Sequence, residues 1–180
     1  SNSSNLVQKS SSQFLLYSQL KIGDHIESIG IERAISGPHR IRHNKDTIRS
    51  IAPIAKLLPI QMISTDSYRF FHDGPKLRRQ FMNWGLFHVK PAFHSSWQRL
   101  TQILKQRNAA LKNRSPLAEL KYWDEELIIL ANTIDQMRQE YVSDLTPIIQ
   151  KLMNDVLEGL SLQICYQRGW DMNLEYGAAL

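Results

Sequence analysis

The chain has 180 residues, a formal net charge of +5, and 42% hydrophobic against 22% charged residues. This is globular composition, enough for one core of domain size or slightly more. It holds no run near the ~18 uninterrupted apolar residues of a membrane span, and its polar start, "SNSSNLVQKSSS", lacks the apolar stretch of a secretory signal.

The first third reads as strands. "QFLLYSQL" and "HIESIGIER" alternate apolar with polar residues, the period of a half-buried sheet. "SGPHRIRHN" supplies a turn at Gly37-Pro38 and a third short extended run, so an antiparallel meander is expected. "TIRSIAPIAKLLP" predicts a short helix that Pro59 ends, because the residue before a proline avoids the helical region. "PIQMIS" then reads as a buried strand with Gln61 in its midst.

From there the pattern is helical. Gly74-Pro75 breaks one turn and opens a helix that places Leu77, Phe81, Trp84 and Phe87 or His88 on one side. Lys76 and Arg79 fall on another side, with Arg78 between. Pro91 opens a helix over roughly residues 92–113, with Trp97, Leu100, Ile103, Leu104 and Leu111 as its apolar stripe. After a break at 113–116, Leu127, Leu130, Ile134, Met137, Tyr141, Leu145, Ile148, Leu152 and Val156 form a sustained seam. Pro147 is expected to kink or interrupt it. The two runs predict an antiparallel helical arm on the order of 30 Å long at 1.5 Å per residue. "LSLQICYQRGW" returns to strand, and "NLEYGAAL" opens a further helix. Strands, then helices, then a strand again describe a helical insertion in a larger protein, of which this chain is a piece.

Charge is distributed unevenly along this order. Residues 1–68 carry eight Lys/Arg and five Asp/Glu, residues 69–114 carry ten against Asp73 alone, and residues 115–180 carry four against eleven. Either a basic face meets phosphates, or neighbouring helices attract each other by opposite charge. The runs "PKLRR" and "LKQRNAALKNR" are the strongest signals. Lys105, Arg107, Lys112 and Arg114 lie near a helix C-terminus, where cations are favoured anyway. The functional alternative is contact with a nucleic-acid backbone.

Other chemistry is thin. No GxxxxGK[ST] phosphate loop and no nucleophilic triad is present. His88 and His94 do not converge with further zinc ligands, and Arg40 and Arg42 beside His39 and His43 would repel a cation. The single cysteine, Cys165, reads as a small buried strand residue in a reducing cytoplasm. Gln61 is either a satisfied core amide or one that reaches a metal-bound water or a nucleotide phosphate.

The stretch "FFHDGPKLRRQFMNWGLFHVKPAF", followed by "LKQRNAAL", "YWDEELIILA" and "QRGW", resembles the RecF family of bacterial DNA replication and repair proteins. The family form of the central run is close to GGPKxRRxFLDWG. Here Asp73 replaces the first glycine, and Met82-Asn83 replaces Leu-Asp, so any ionic role of that acid in the family is not carried over to Asn83, although an amide can still hydrogen-bond.

The resemblance covers the family's middle region and implies an α+β fold. Residues 1–64 would be part of the antiparallel sheet lobe of an ABC-type, SMC-like ATPase head. Residues 65–158 would be an inserted antiparallel helical arm, and residues 159–180 a return strand and the start of the rest of the head. Walker A, signature and Walker B motifs would lie outside this stretch, leaving no catalytic residue in it and no activity for it alone. Gln61 matches the Q-loop by order, as a nucleotide-binding residue. Lys76, Arg78, Arg79, Lys105, Arg107, Lys112 and Arg114 would contact DNA, and no residue is expected to hold a metal. ATP and Mg2+ would serve the complete protein, with neither expected on this stretch. The implied partners are DNA (duplex and single-strand/duplex junctions), RecR, RecO, the RecA pathway and an ATP-dependent second RecF copy, with no membrane. The implied function is cytoplasmic: helping RecO and RecR load RecA at single-strand gaps, within DNA recombination and the SOS response. The alternative is an interaction arm that docks RecR or a second RecF copy without touching DNA.

Overall fold

The computed structural model describes residues 7–35, 39–156, 159, 162–171 and 176–178. The chain divides into two compact units, 1–64 and 65–180. The fold is α+β: an antiparallel sheet and one short helix in the first unit, and the longer helices in the second.

The sheet is a four-stranded meander in the order β1 (Gln13–Ile22), β2 (His25–Ala34), β3 (Arg40–His43) and β4 (Asp46–Ile48). Its turns follow from local chemistry. Gly23, between β1 and β2, has φ +59°, which glycine adopts without cost. Asn44 and Lys45 between β3 and β4 both have positive φ, the requirement of the two-residue hairpin turn that suits twisted strands. Asn44 stabilises that turn by accepting the Ser28 amide at 2.9 Å. The turn expected at Gly37-Pro38 lies outside the described residues.

Pairing fixes the two faces, since side chains alternate along each strand. Ile29 pairs with His43, and Ile31 stands between Leu16 and Ile41, which itself meets Ile48. These residues, with Phe14 and Leu20, share the more buried face, and Ile29 is its most buried member at 6% exposure. The opposite face carries Tyr17, Gln19, Arg40 and Arg42 around Gly30.

Two expectations change in this unit. The segment "TIRSIAPIAKLLP" begins as β4 and becomes helix only at α1 (Ala52–Leu57). "PIQMIS" is not a strand: residues 59–64 lie outside the sheet, with Ile60, Met62 and Ile63 at 65–86% exposure. An apolar run becomes a strand only where another strand can satisfy its backbone, and the meander ends at β4.

In the second unit a 3-10 turn (Thr65–Tyr68) leads into α2 (Arg69–His72). Then come α3 (Pro75–Val89), α4 (Phe93–Lys112) and α5 (Leu117–Val156). Pro75 sits at the start of α3 with Gly74 as its N-cap, where the missing N–H costs nothing. Arg114 takes a left-handed φ of +55° after α4, and the Ser115 amide reaches back to Ala110 O at 3.0 Å, which closes that helix.

The core is built from Leu86, Phe93 and Ile134, packed by Met82, Trp97, Leu100, Met137 and Tyr141. Ile103 and Leu127 are also fully buried. The inward stripe of α3 therefore runs through Met82, Gly85 and Leu86, whereas Trp84 is 36% exposed, with its ring edge on His88 at 4.8 Å. Likewise Ile103 and Ala110 lead the stripe of α4, while Leu104 and Leu111 are exposed.

Helix α5 runs through Pro147 without interruption for 40 residues, about 60 Å at 1.5 Å per residue. The 20 residues of α4 span about half of that. The seam is accordingly buried at Leu127 and Ile134 but exposed at Ile148, Leu152 and Val156.

Residues 162–168 form no strand, so the return strand is absent from the described part of that segment. Its alternation is nevertheless physical. Ile164, Tyr166, Arg168 and Trp170 are partly buried while residues between them are exposed, and Tyr166 and Arg168 bond to Asp135 of α5 rather than to a neighbouring strand. Cys165 sits on the outward side and is exposed, not buried. Residues 176–178 form a 3-10 turn. Among the described residues no helix is long and apolar enough to cross a membrane.

Candidate nucleic-acid interface

The basic run of α3 divides by role. Arg69 bonds Asp73 through Nε at 2.9 Å, fixing the turn before Gly74. Arg78 Nη1 donates to Phe70 O and Asp73 O, each at 3.1 Å, so this guanidinium staples α2 to α3. Lys76 and Arg79, three apart and hence on one side of the helix, are exposed and form no ion pair among the described residues.

The second run divides the same way. Arg107 is turned toward α5 and paired with Asp124. The same antiparallel packing pairs Arg99 with Glu126 (Nη2 to Oε2, 2.7 Å) and Lys90 with Glu140 (2.6 Å). These contacts hold the Glu126 and Glu140 carboxyls below their ordinary range, through the hydrogen bonds from Arg99 and Lys90. Lys90 is pushed up for the same reason. Part of the charge asymmetry is thus internal attraction. Lys105 and Lys112 are seven residues apart and share a face; they and Arg114 are exposed, with no ion pair among the described residues. Five cations therefore remain open to an anionic partner: Lys76, Arg79, Lys105, Lys112 and Arg114.

Gln61 is exposed, so it is not a satisfied core amide. The described residues contain no group of three or more His, Cys, Asp or Glu that could hold a metal ion. His88 and His94 instead set their rings against Phe87 at 5.1 and 5.2 Å.

Two polar contacts escaped the sequence reading. Asn83 Oδ1 accepts from Arg138 Nη2 at 3.0 Å, and the Arg138 guanidinium lies 5.4 Å from the centre of the Trp97 ring. The amide at position 83 thus keeps a bond between α3 and α5. Asp135, only 5% exposed, accepts from Tyr166 Oη and Gln139 Nε2, both at 2.7 Å, and pairs with Arg168 at 3.2 Å. Burial, and then the Asp135 carboxylate, push the Tyr166 phenol up to about 12. The one available sequence signal was an acid directly beside the seam residue Ile134.

No family model matches the chain. Among curated proteins, the DNA replication and repair protein RecF of Shewanella woodyi is 34% identical over 178 residues, 99% of this chain and 49% of that protein. RecF of Pseudomonas syringae pv. tomato is 40% identical over 159 residues, 88% of this chain and 43% of its own length. A solved structure of the recombination mediator protein RecF with ATP, in the RecFOR pathway, matches with a TM-score of 0.76 at 19% identity. That match covers 87% of this chain and 43% of the other. The chain spans about half the length of the curated relatives it matches. Sequence along almost all of it and fold along most of it agree: the chain is homologous to RecF and corresponds to about half of such a protein.

Proposed function

We propose that this chain is part of a cytoplasmic RecF-type DNA-repair ATPase, with residues 1–64 in the sheet lobe of the head and 65–158 as the helical arm. Residues 159–180 would lead back to the head. The complete protein binds DNA when ATP and Mg2+ close two heads, and helps RecO and RecR load RecA at single-strand gaps. In this reading the arms grip the DNA backbone by charge, without reading bases. The observation that carries it is the set of five exposed cations, Lys76, Arg79, Lys105, Lys112 and Arg114, on a chain homologous to RecF. Arg78 and Arg107 support the same surface by fixing its shape. Of the nucleotide contacts expected of such a head, this chain offers Gln61. It has no phosphate-cradling loop, so no step of hydrolysis is assigned to its residues.

Affinity for duplex DNA, measured for the complete RecF polypeptide with ATP at several salt concentrations, tests this. Lys105→Glu with Lys112→Glu should weaken binding and lower the slope of log affinity against log salt by about 2, since each neutralised phosphate contributes ~0.9. An unchanged slope would sink the contact.

A second reading is favoured by the exposed Ile148, Leu152 and Val156 of α5: this stripe docks RecR or a second RecF copy, with no DNA contact by the arm. RecR binding lost on Leu152→Asp, with DNA affinity unaffected by the lysine changes, would select it.

A further inference from the structure

The outer face of the sheet carries a feature that the helical cations do not explain. Pairing places Tyr17, Gly30, Arg42 and Thr47 in one row across β1, β2, β3 and β4, all on the same face. Tyr17 is 64% exposed, and Gln19, two residues on, donates its amide to the phenol oxygen at 3.1 Å. Arg42 is exposed on the far side of Gly30, roughly 10 Å away as two strand spacings. Arg40 and Lys21 share the face and are exposed. The acid there is Glu32, opposite Arg40, and no ion pair joins them.

Gly30 has no conformational or steric reason to be glycine. Its φ is not positive, and a Cβ would meet Arg42 Cβ at an ordinary 3.7 Å. What a side chain would do is fill the floor between the ring and the guanidinium. Glycine within a strand marks a bulge, a bend or a place where something approaches the backbone closely, and the register runs through Gly30 without a bulge. An exposed aromatic ring beside unpaired cations, over a bare floor, is the chemistry that receives a base and its phosphate.

We propose that this face binds single-stranded nucleic acid, with a base stacked on Tyr17 above Gly30 and the backbone phosphates held by Arg42 and Arg40. The surface lies in the first unit and does not rest on the helical contacts proposed above. Stacking is indifferent to base identity, so the face holds a strand without selecting its sequence.

Fluorescence anisotropy of a labelled oligothymidylate with this 180-residue chain tests the assignment. Tyr17→Ala should weaken binding roughly fivefold or more, and Gly30→Val should also weaken it. Tyr17→Trp, which keeps a stacking ring, should bind as well as the unaltered chain. Lys105→Glu with Lys112→Glu should leave the Tyr17 dependence intact, which separates failure here from failure of the helical contact. Unchanged binding by Tyr17→Ala, or equal loss in Tyr17→Trp, would overturn the proposal. So would Tyr17→Ala weakening the binding of a fluorescent ATP analogue, titrated in parallel, while oligothymidylate binding is unchanged, which would make this a site for a free nucleotide.

Discussion

Asp135 and Tyr166 stand 31 residues apart in sequence, yet their 2.7 Å hydrogen bond ties the segment after α5 to the helical core. Removing the phenol leaves a buried carboxylate short of a donor, which costs about 1–3 kcal/mol. Tyr166→Phe should therefore lower stability by that amount in urea unfolding at neutral pH; an equally stable variant would show the bond to be idle. The sign with pH is definite. The folded phenol titrates near 12 rather than at its ordinary 10, so its contribution is complete below pH 10 and is lost as pH rises from there toward 12. Tyr166→Phe should remove that alkaline component. Nothing in the residues around position 166 announces such a partner, because a buried acid is recognisable only once the fold has covered it. The exposed cations were legible for the opposite reason: helical spacing alone places Lys105 and Lys112 on a shared face. Arg78 and Arg107 look identical to them in sequence, and only their carbonyl and carboxylate neighbours distinguish them.

The long helices α3, α4 and α5 were legible as elements because an apolar period of 3.6 over fifteen or more residues has no competing interpretation. The strands were legible only where they found partners. "QFLLYSQL" and "HIESIGIER" pair with each other across a two-residue turn, whereas "PIQMIS" and "LQICYQRGW" show equally apolar or alternating patterns and stay unpaired. Helix packing also depends on a detail that periodicity does not show. Gly85 lies in the middle of α3, where alanine would gain about 1 kcal/mol of helix propensity. A Cβ there would fall on the Tyr141 phenol and its ring. Overpacking of 1–3 kcal/mol outweighs that gain, so Gly85→Ala should lower the unfolding midpoint. Combining it with Tyr141→Ala should cost less than the two separate changes added together, which a double-mutant cycle would reveal.

At the scale of the molecule, opposite charges along the sequence serve two purposes, inner cohesion and outer attraction. The cohesive part has a pH signature. Glu126 and Glu140 titrate below the usual carboxylate value of 4.5 because Arg99 and Lys90 bond them. Their contribution is complete above that value and disappears as pH falls below it. Thermal unfolding should therefore occur at lower temperature at pH 3 than at pH 7, and Glu126→Gln should make the difference smaller; an unaltered difference would assign acid sensitivity elsewhere.

Pro147 has a consequence for how α5 comes apart. Without an amide hydrogen at that position, the Ser143 carbonyl loses its rung of the helical ladder, while the Thr146 hydroxyl takes up the Val142 carbonyl at 2.6 Å. The weakened rung falls where the buried half of the seam gives way to the uncovered half. Fraying that begins at Val156 should thus meet a natural stopping point, with the uncovered half of the rod yielding before the clamped half.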